Sequence, residues 1–82
     1  MAEPPGFRVL IFRWGRDRER GAMGWERLPE VRFTQRASAE GYARLRVESR
    51  AVSGTAVLAD REDGNEPEIL SHYGRLPENL EI

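Results

Sequence analysis

Cysteine and lysine are both missing from this 82-residue sequence, and histidine occurs only once. Without cysteine the chain has no disulfide framework, no zinc ribbon and no thiolate nucleophile. A single histidine excludes histidine pairs and histidine-rich metal sites. All 13 basic residues are arginine, which makes planar, bidentate contacts that lysine does not make. The length predicts one domain with a thin core, so a catalytic cleft between two domains is not expected.

Long apolar runs are also lacking. The longest covers residues 9–12, whereas a membrane-spanning helix needs roughly 20 apolar residues. The acidic, proline-rich start of the sequence does not resemble a signal peptide. The net charge of −1 gives no global basic field of the kind that nucleic-acid-binding domains usually carry. We therefore expect a cytoplasmic protein that is similar in general character to small prokaryotic or phage accessory proteins. We expect it to bind no membrane, metal or cofactor.

The apolar pattern predicts four β-strands, at residues 7–14, 25–34, 55–60 and 68–73. The first strand is expected to be central in its sheet, because apolar side chains alternate onto both of its faces. In the second, Pro29 predicts an edge position or a bulge, since proline cannot donate to the strand ladder. Asp63-Gly64 is typical of a hairpin turn and precedes the fourth strand.

Residues 37–51 fit two patterns. Apolar residues alternate along part of this segment, as in a strand, but those from Ala39 to Val47 also recur at helical spacing. Four alanines and few β-branched residues favour the helix, with Ser38 as a plausible N-cap and Thr34 as the alternative. The sequence therefore predicts an α+β fold with chain order ββαββ. A right-handed crossover gives a four-stranded antiparallel sheet in the order 2-1-3-4, with one helix packed on one face.

The expected organisation is a flexible lead at 1–6, a single domain at 7–74 and an extended tail at 75–82. One helix covers only one face of a sheet, yet the first strand carries large apolar residues on both. The uncovered set is either Leu10, Phe12 and Trp14 or Phe7, Val9 and Ile11. Two explanations stay open: the face is an interface, or the tail covers it through Leu76, Leu80 and Ile82.

Charge is distributed unevenly along the chain. Residues 7–20 contain five arginines and two acids, a local charge of +3, and Trp14 and Trp25 bracket the loop that follows the first strand. Arginine interleaved with aromatic residues is typical of surfaces that bind single-stranded nucleic acid. Residues 60–82 contain two arginines and seven acids, a local charge of −5. Three interpretations of this polarity stay open: steering towards a charged partner, head-to-tail self-association, and solubility alone, which is the favoured one.

No combination of residues indicates catalysis. His72 follows Ser71, and adjacent strand residues point to opposite faces. The acidic cluster at 60–68 lacks the spacing of a calcium loop, and glycine-rich phosphate motifs are missing. We expect a non-enzymatic protein-interaction module, a small accessory or regulatory protein acting through an open sheet face as a homodimer or on a larger partner. The predicted interface residues are Leu10, Phe12, Trp14 and Trp25.

The alternative is a small nucleic-acid-binding module that uses the arginine-rich loop at 13–20 and the flanking tryptophans. Its predicted binding residues are Arg13, Arg16, Arg18 and Arg20. This interpretation depends on arginine pairing with phosphates while bases stack on the indole rings. The low net charge of the whole chain makes nucleic acid the less favoured partner.

Overall fold

A computed structural model describes residues 6–16, 19, 21–60, 66–78 and 80. Its elements are β1 (Phe7–Arg16), β2 (Met23–Phe33), α1 (Arg36–Arg46), β3 (Gly54–Ala59) and β4 (Glu68–Gly74). The strands form one antiparallel sheet in the order β2-β1-β3-β4, with α1 on one face. The structure therefore confirms the predicted α+β fold, the ββαββ order and the central position of β1. The hairpin turn predicted at Asp63-Gly64 and residues 1–5 of the predicted lead lie outside the described residues.

The first hairpin extends beyond the rest of the sheet. β1 pairs with β2 along its whole length, from Phe7 opposite Phe33 to Arg16 opposite Met23. It pairs with β3 only from Phe7 to Phe12. Residues 13–16 and 23–26 consequently form a two-stranded extension, which we call the distal ribbon. Among the described residues no third strand pairs with this part, and on the outer edge of β1 the N–H of Trp14 donates to the hydroxyl oxygen of Ser53 instead.

An irregularity in β2 lies where the sequence predicts one. Pro29 and Glu30 together face the single residue Leu10, so the register of the β1–β2 pair shifts at this point. Proline has no backbone N–H to donate, and β2 is an edge strand of the sheet. Because β2 has a neighbouring strand on one side only in this sheet, the bulge accommodates Pro29 with a single irregularity in the β1–β2 pairing.

The ambiguous segment is a helix, as its composition predicts, but it is shorter than 37–51. α1 ends at Arg46, and its N-cap is Gln35, whose side chain makes no capping hydrogen bond. The expected N-cap, Ser38, lies inside the first turn instead, so that prediction is wrong. Ala39 and Ala43 are fully buried on the face of α1 that packs against the sheet, and their small side chains allow the helix to lie close to the strands.

Each face of the sheet has its own apolar cluster. The helix-side cluster lies between the sheet and α1, and its buried members are Val9, Ile11, Ala39, Ala43, Val52 and Val57. The tail-side cluster lies on the opposite face, and its buried members are Leu10, Phe12, Ala56 and Leu58. Successive residues of β1 thus enter opposite clusters, which explains why that strand is apolar on both faces.

Residues beyond β4 cover the tail-side cluster. Leu76 and Leu80 pack against it together with Trp25. Leu10 is 0% exposed and Phe12 is 4% exposed in the single chain. Of the two explanations that the sequence leaves open, the structure therefore shows cover by the tail for Leu10 and Phe12. The third residue predicted to contribute, Ile82, lies outside the described residues.

Candidate interaction surface

Two tryptophans pack together where the sheet narrows into the distal ribbon. Trp14 and Trp25 are direct cross-strand partners. Their ring centroids are 5.3 Å apart and their planes make an angle of 65°, an edge-to-face arrangement. Such a pair contributes about 0.5–1.5 kcal/mol beyond the area that it buries. Trp14 nevertheless remains 40% exposed, although Phe12, two residues earlier on the same face, is almost completely buried.

Ser53 joins β1 to the start of the tail through three hydrogen bonds. Its N–H donates to the carbonyl oxygen of Phe12 at 2.9 Å. Its hydroxyl oxygen accepts from the N–H of Trp14 at 2.8 Å. Its carbonyl oxygen accepts from the N–H of Arg75 at 2.9 Å. This single residue therefore positions the backbone of Trp14 relative to the segment that follows β4.

Two glycines allow the tail to turn towards the tryptophans. Gly74 has a φ of 72°, a left-handed conformation that side chains with a Cβ rarely adopt. Gly54 lies so close to the tail that a Cβ on it would overlap the backbone of Arg75. The guanidinium of Arg75 then lies over the ring of Trp25, 5.9 Å from its centroid, in cation–π geometry.

The tryptophans and the tail enclose a groove that is open to solvent. Its volume is about 740 Å³, and its lining residues are Trp14, Trp25, Arg75, Leu76, Pro77 and Glu78. We call this surface the aromatic groove. Its volume is within the range of about 300–1,000 Å³ that ligand sites occupy. It lies at the border of the tail-side cluster, beyond the point where Leu76 and Leu80 cover β1.

The distal ribbon has one apolar face and one polar face. Strand alternation places Trp14, Arg16, Met23 and Trp25 on the face of the aromatic groove. Met23 is 53% exposed and lies further out along the ribbon than the tryptophans. On the opposite face, the side chain of Arg13 lies against Gly15 and forms an exposed ion pair with Glu26, with 3.8 Å between Nε and Oε2.

The four predicted interface residues thus occupy one face but differ in accessibility. Leu10 and Phe12 are buried under the tail, whereas Trp14 is exposed and Trp25 is partly exposed. The sequence did not indicate the tail residues that complete the surface, Arg75, Leu76, Pro77 and Glu78, except for Leu76 as a covering residue. The one sequence feature that indicates these residues is Gly74, because a glycine at the end of the last strand allows a left-handed turn, and that turn determines the direction of the tail.

The arginines predicted to bind nucleic acid are dispersed. Arg13 is on the ribbon face that points away from the tryptophans, and it is paired with Glu26. Arg16 is exposed and shares the tryptophan face. The other two, Arg18 and Arg20, lie outside the described residues. Within the described part of the chain, Arg16 is therefore the one predicted arginine that adjoins the aromatic groove face.

The structure keeps the candidate catalytic groups apart. The hydroxyl of Ser71 donates to Oε1 of Glu40 at 2.9 Å, on the helix side of the sheet. His72 is opposite Ala56, a member of the tail-side cluster, and therefore lies on the other face. In the described ranges no three carboxylate or histidine side chains are arranged to hold a metal ion.

The chain matches no family model, and it resembles no curated protein and no solved structure closely enough to establish a relationship. In the part of the chain that the structure describes, no helix is both long enough and apolar enough to cross a membrane. Inferences about function therefore start from the aromatic groove and the residues around it.

Proposed function

We propose that this protein is a non-enzymatic interaction module that binds an extended protein segment in the aromatic groove. The observation that carries the proposal is the exposure of Trp14 beside Trp25, with Met23 further along the same ribbon face. Tryptophan and methionine are enriched where proteins meet, and an exposed apolar cluster with a polar rim is typical of such a surface. Ser53 and the tail fix the position of this surface relative to the sheet.

The shape and composition of the groove favour an extended, proline-containing ligand. Aromatic grooves bind polyproline II segments, which bury proline rings against indole rings and lose little entropy because they are already extended. Arg75 lies over Trp25, and Arg16 is on the same ribbon face opposite Met23, so both cationic groups favour an acidic residue in the ligand. Glu78, at the tail side of the groove, disfavours a ligand that is acidic throughout.

The same groups favour protein over nucleic acid as the ligand. Glu78 would face a phosphate backbone that followed the groove. Arg13 is directed to the opposite ribbon face by strand alternation and is paired with Glu26.

Fluorescence anisotropy with labelled probes tests the proposal. The probes are a peptide of four Glu-Pro-Pro repeats, a peptide of four Arg-Pro-Pro repeats, and a 12-nucleotide oligo(dT). We expect saturable binding of the acidic peptide, weaker binding of the basic one and none of the oligonucleotide. Trp14→Ala should weaken binding of the acidic peptide about tenfold or more, as is typical of a central tryptophan at an interface.

Leu45→Ala is the matched control, because Leu45 is a 63% exposed apolar residue of α1 on the helix side of the molecule. It should leave peptide binding unchanged. Absence of saturable peptide binding, or equal binding by the Trp14→Ala variant, would overturn the proposal. Salt-sensitive binding of the oligonucleotide that depends on Trp14 would establish the nucleic-acid alternative instead, because phosphate contacts release counterions.

A further inference from the structure

The chain itself contains a segment with the chemistry that the aromatic groove favours. Residues 3–5 are Glu-Pro-Pro, directly before Gly6 and the start of β1. Two consecutive prolines restrict the backbone to the extended conformations that fit an aromatic groove. The glutamate supplies the single acidic group that Arg75 and Arg16 favour beside the tryptophans.

This segment cannot reach the groove of its own chain. Gly6 is fixed at one end of the sheet, where its carbonyl oxygen accepts a hydrogen bond of 3.0 Å from the N–H of Asp60. Trp14 is seven residues beyond Phe7 along β1, a distance of about 24 Å in an antiparallel strand. Three residues extend at most about 11 Å. The groove and the Glu-Pro-Pro segment of one molecule therefore lie too far apart to meet.

A second copy removes this obstacle. When the β1 strands of two copies run antiparallel, the Gly6 end of each copy lies next to the Trp14 end of the other. Each Glu-Pro-Pro segment then adjoins the aromatic groove of the other copy, and both contacts form at once. Such a reciprocal contact has twofold symmetry and closes after two copies, whereas a one-way contact continues into an open chain.

We infer that residues 3–5 dock in the aromatic groove of a second copy and hold a reciprocal dimer. The inference depends on the proposed function, since it identifies the segment that the groove binds. Trp14 and Trp25 receive Pro4 and Pro5, and Arg75 receives the carboxylate of Glu3. The two grooves are occupied within the dimer, so an external ligand of the same chemistry must compete with residues 3–5.

Sedimentation velocity from about 5 to 500 μM tests the inference on the full chain. The wild type should form dimers and no larger species. Trp14→Ala should weaken dimerisation at least tenfold, and so should the double change Pro4→Ser and Pro5→Ser, which leaves the groove intact. Leu45→Ala should dimerise like the wild type. Far-UV circular dichroism checks that each variant is folded.

Mixing the two defective variants gives a sharper test. The Trp14→Ala chain keeps its Glu-Pro-Pro segment and the Pro4→Ser/Pro5→Ser chain keeps its groove, so one of the two contacts is restored in the mixture. With the proline variant labelled by ¹⁵N, the indole signals of Trp14 and Trp25 should shift when the tryptophan variant is added. They should not shift on addition of a chain that carries all three changes.

The possible failures are distinguishable. A monomeric wild type whose groove binds the acidic peptide would overturn the inference and leave the proposed function in place. A monomeric wild type that binds no peptide would overturn both. Dimers that persist in the Pro4→Ser/Pro5→Ser variant, or assemblies that grow with concentration beyond two copies, would overturn the reciprocal arrangement.

Discussion

The two faces of the sheet are covered by different kinds of structure. On one face α1 packs Ala39 and Ala43 against the strands. On the other face Leu76 and Leu80 come from a segment without helix or strand. The helix covers its face with a regular element, whereas the tail covers its face with a few large side chains. A small chain can therefore bury both sides of a sheet with one helix.

The second kind of cover stops abruptly. Along the tail-side face of β1, exposure is 0% at Leu10, 4% at Phe12 and 40% at Trp14. The change from covered to exposed therefore occurs between Phe12 and Trp14, which are consecutive residues on this face of β1. The aromatic groove lies at this border, because the tail leaves Trp14 exposed although Arg75 lies over the ring of Trp25. Incomplete cover therefore leaves an aromatic surface open to solvent on the tail side, where we propose that a ligand binds.

Truncating the most deeply covered aromatic residue gives the largest expected effect. Phe12→Ala should lower the free energy of unfolding by about 3–5 kcal/mol, because it leaves a cavity under the tail. Chemical denaturation monitored by circular dichroism measures the change. Met23→Ala, on the same face but 53% exposed, is the control and should cost less than about 1 kcal/mol. Equal effects for the two variants would contradict the description of the tail as a cover.

A change that moves the tail without touching the apolar cluster should have an intermediate effect. Gly54→Ala places a Cβ against the backbone of Arg75, so the tail must shift. We expect a loss of about 1–3 kcal/mol, as for an overpacked site, with a change in tryptophan fluorescence because Arg75 leaves Trp25. Gly24→Ala meets no atom within 4 Å and should not alter the fluorescence. An unchanged spectrum for Gly54→Ala would mean that Gly54 does not fix the tail.

The smallest effect is expected on the helix side, and it is a gain. Gly41 lies in α1, and a Cβ there meets no atom within 4 Å. Gly41→Ala should therefore stabilise the protein by about 0.5–1 kcal/mol, since alanine restricts the unfolded chain and favours helix. Thermal unfolding measures the gain as a higher midpoint. If the variant is less stable than the wild type, a neighbouring segment must contact Gly41 and leave no room for a Cβ, contrary to the structure.

The sequence predicts most of the architecture because strong local patterns agree with one another. Apolar residues on both faces of β1 indicate a central strand, and Pro29 indicates an irregular edge strand. An alanine-rich segment between two hairpins then leaves one topology with a right-handed crossover. The N-cap is predicted wrongly because Ser38 has a favourable side chain, whereas α1 begins at Arg36, after Gln35, without any side-chain capping hydrogen bond.

The aromatic groove is only partly predictable. Trp14 and Trp25 are among the four predicted interface residues, but the other residues that line the groove belong to the tail. The path of the tail depends on the left-handed turn at Gly74 and on its close approach to Gly54. A glycine in a sequence shows that such a turn is possible without showing its direction. For the same reason, the spacing of the tail leucines does not distinguish cover by the tail from an interface.

The central position of β1 also has a consequence for the order of folding. Only residues 17–22 separate β1 from β2, whereas residues 17–53 separate it from β3. Closing the longer loop costs about 1.6 kcal/mol more in chain entropy. The first hairpin therefore forms early from local contacts, and the pairing of β1 with β3 is the slow, non-local step. Because Leu76 and Leu80 cover the cluster of Leu10 and Phe12, we expect chains whose tail has not docked to expose these residues and to be the most prone to aggregate.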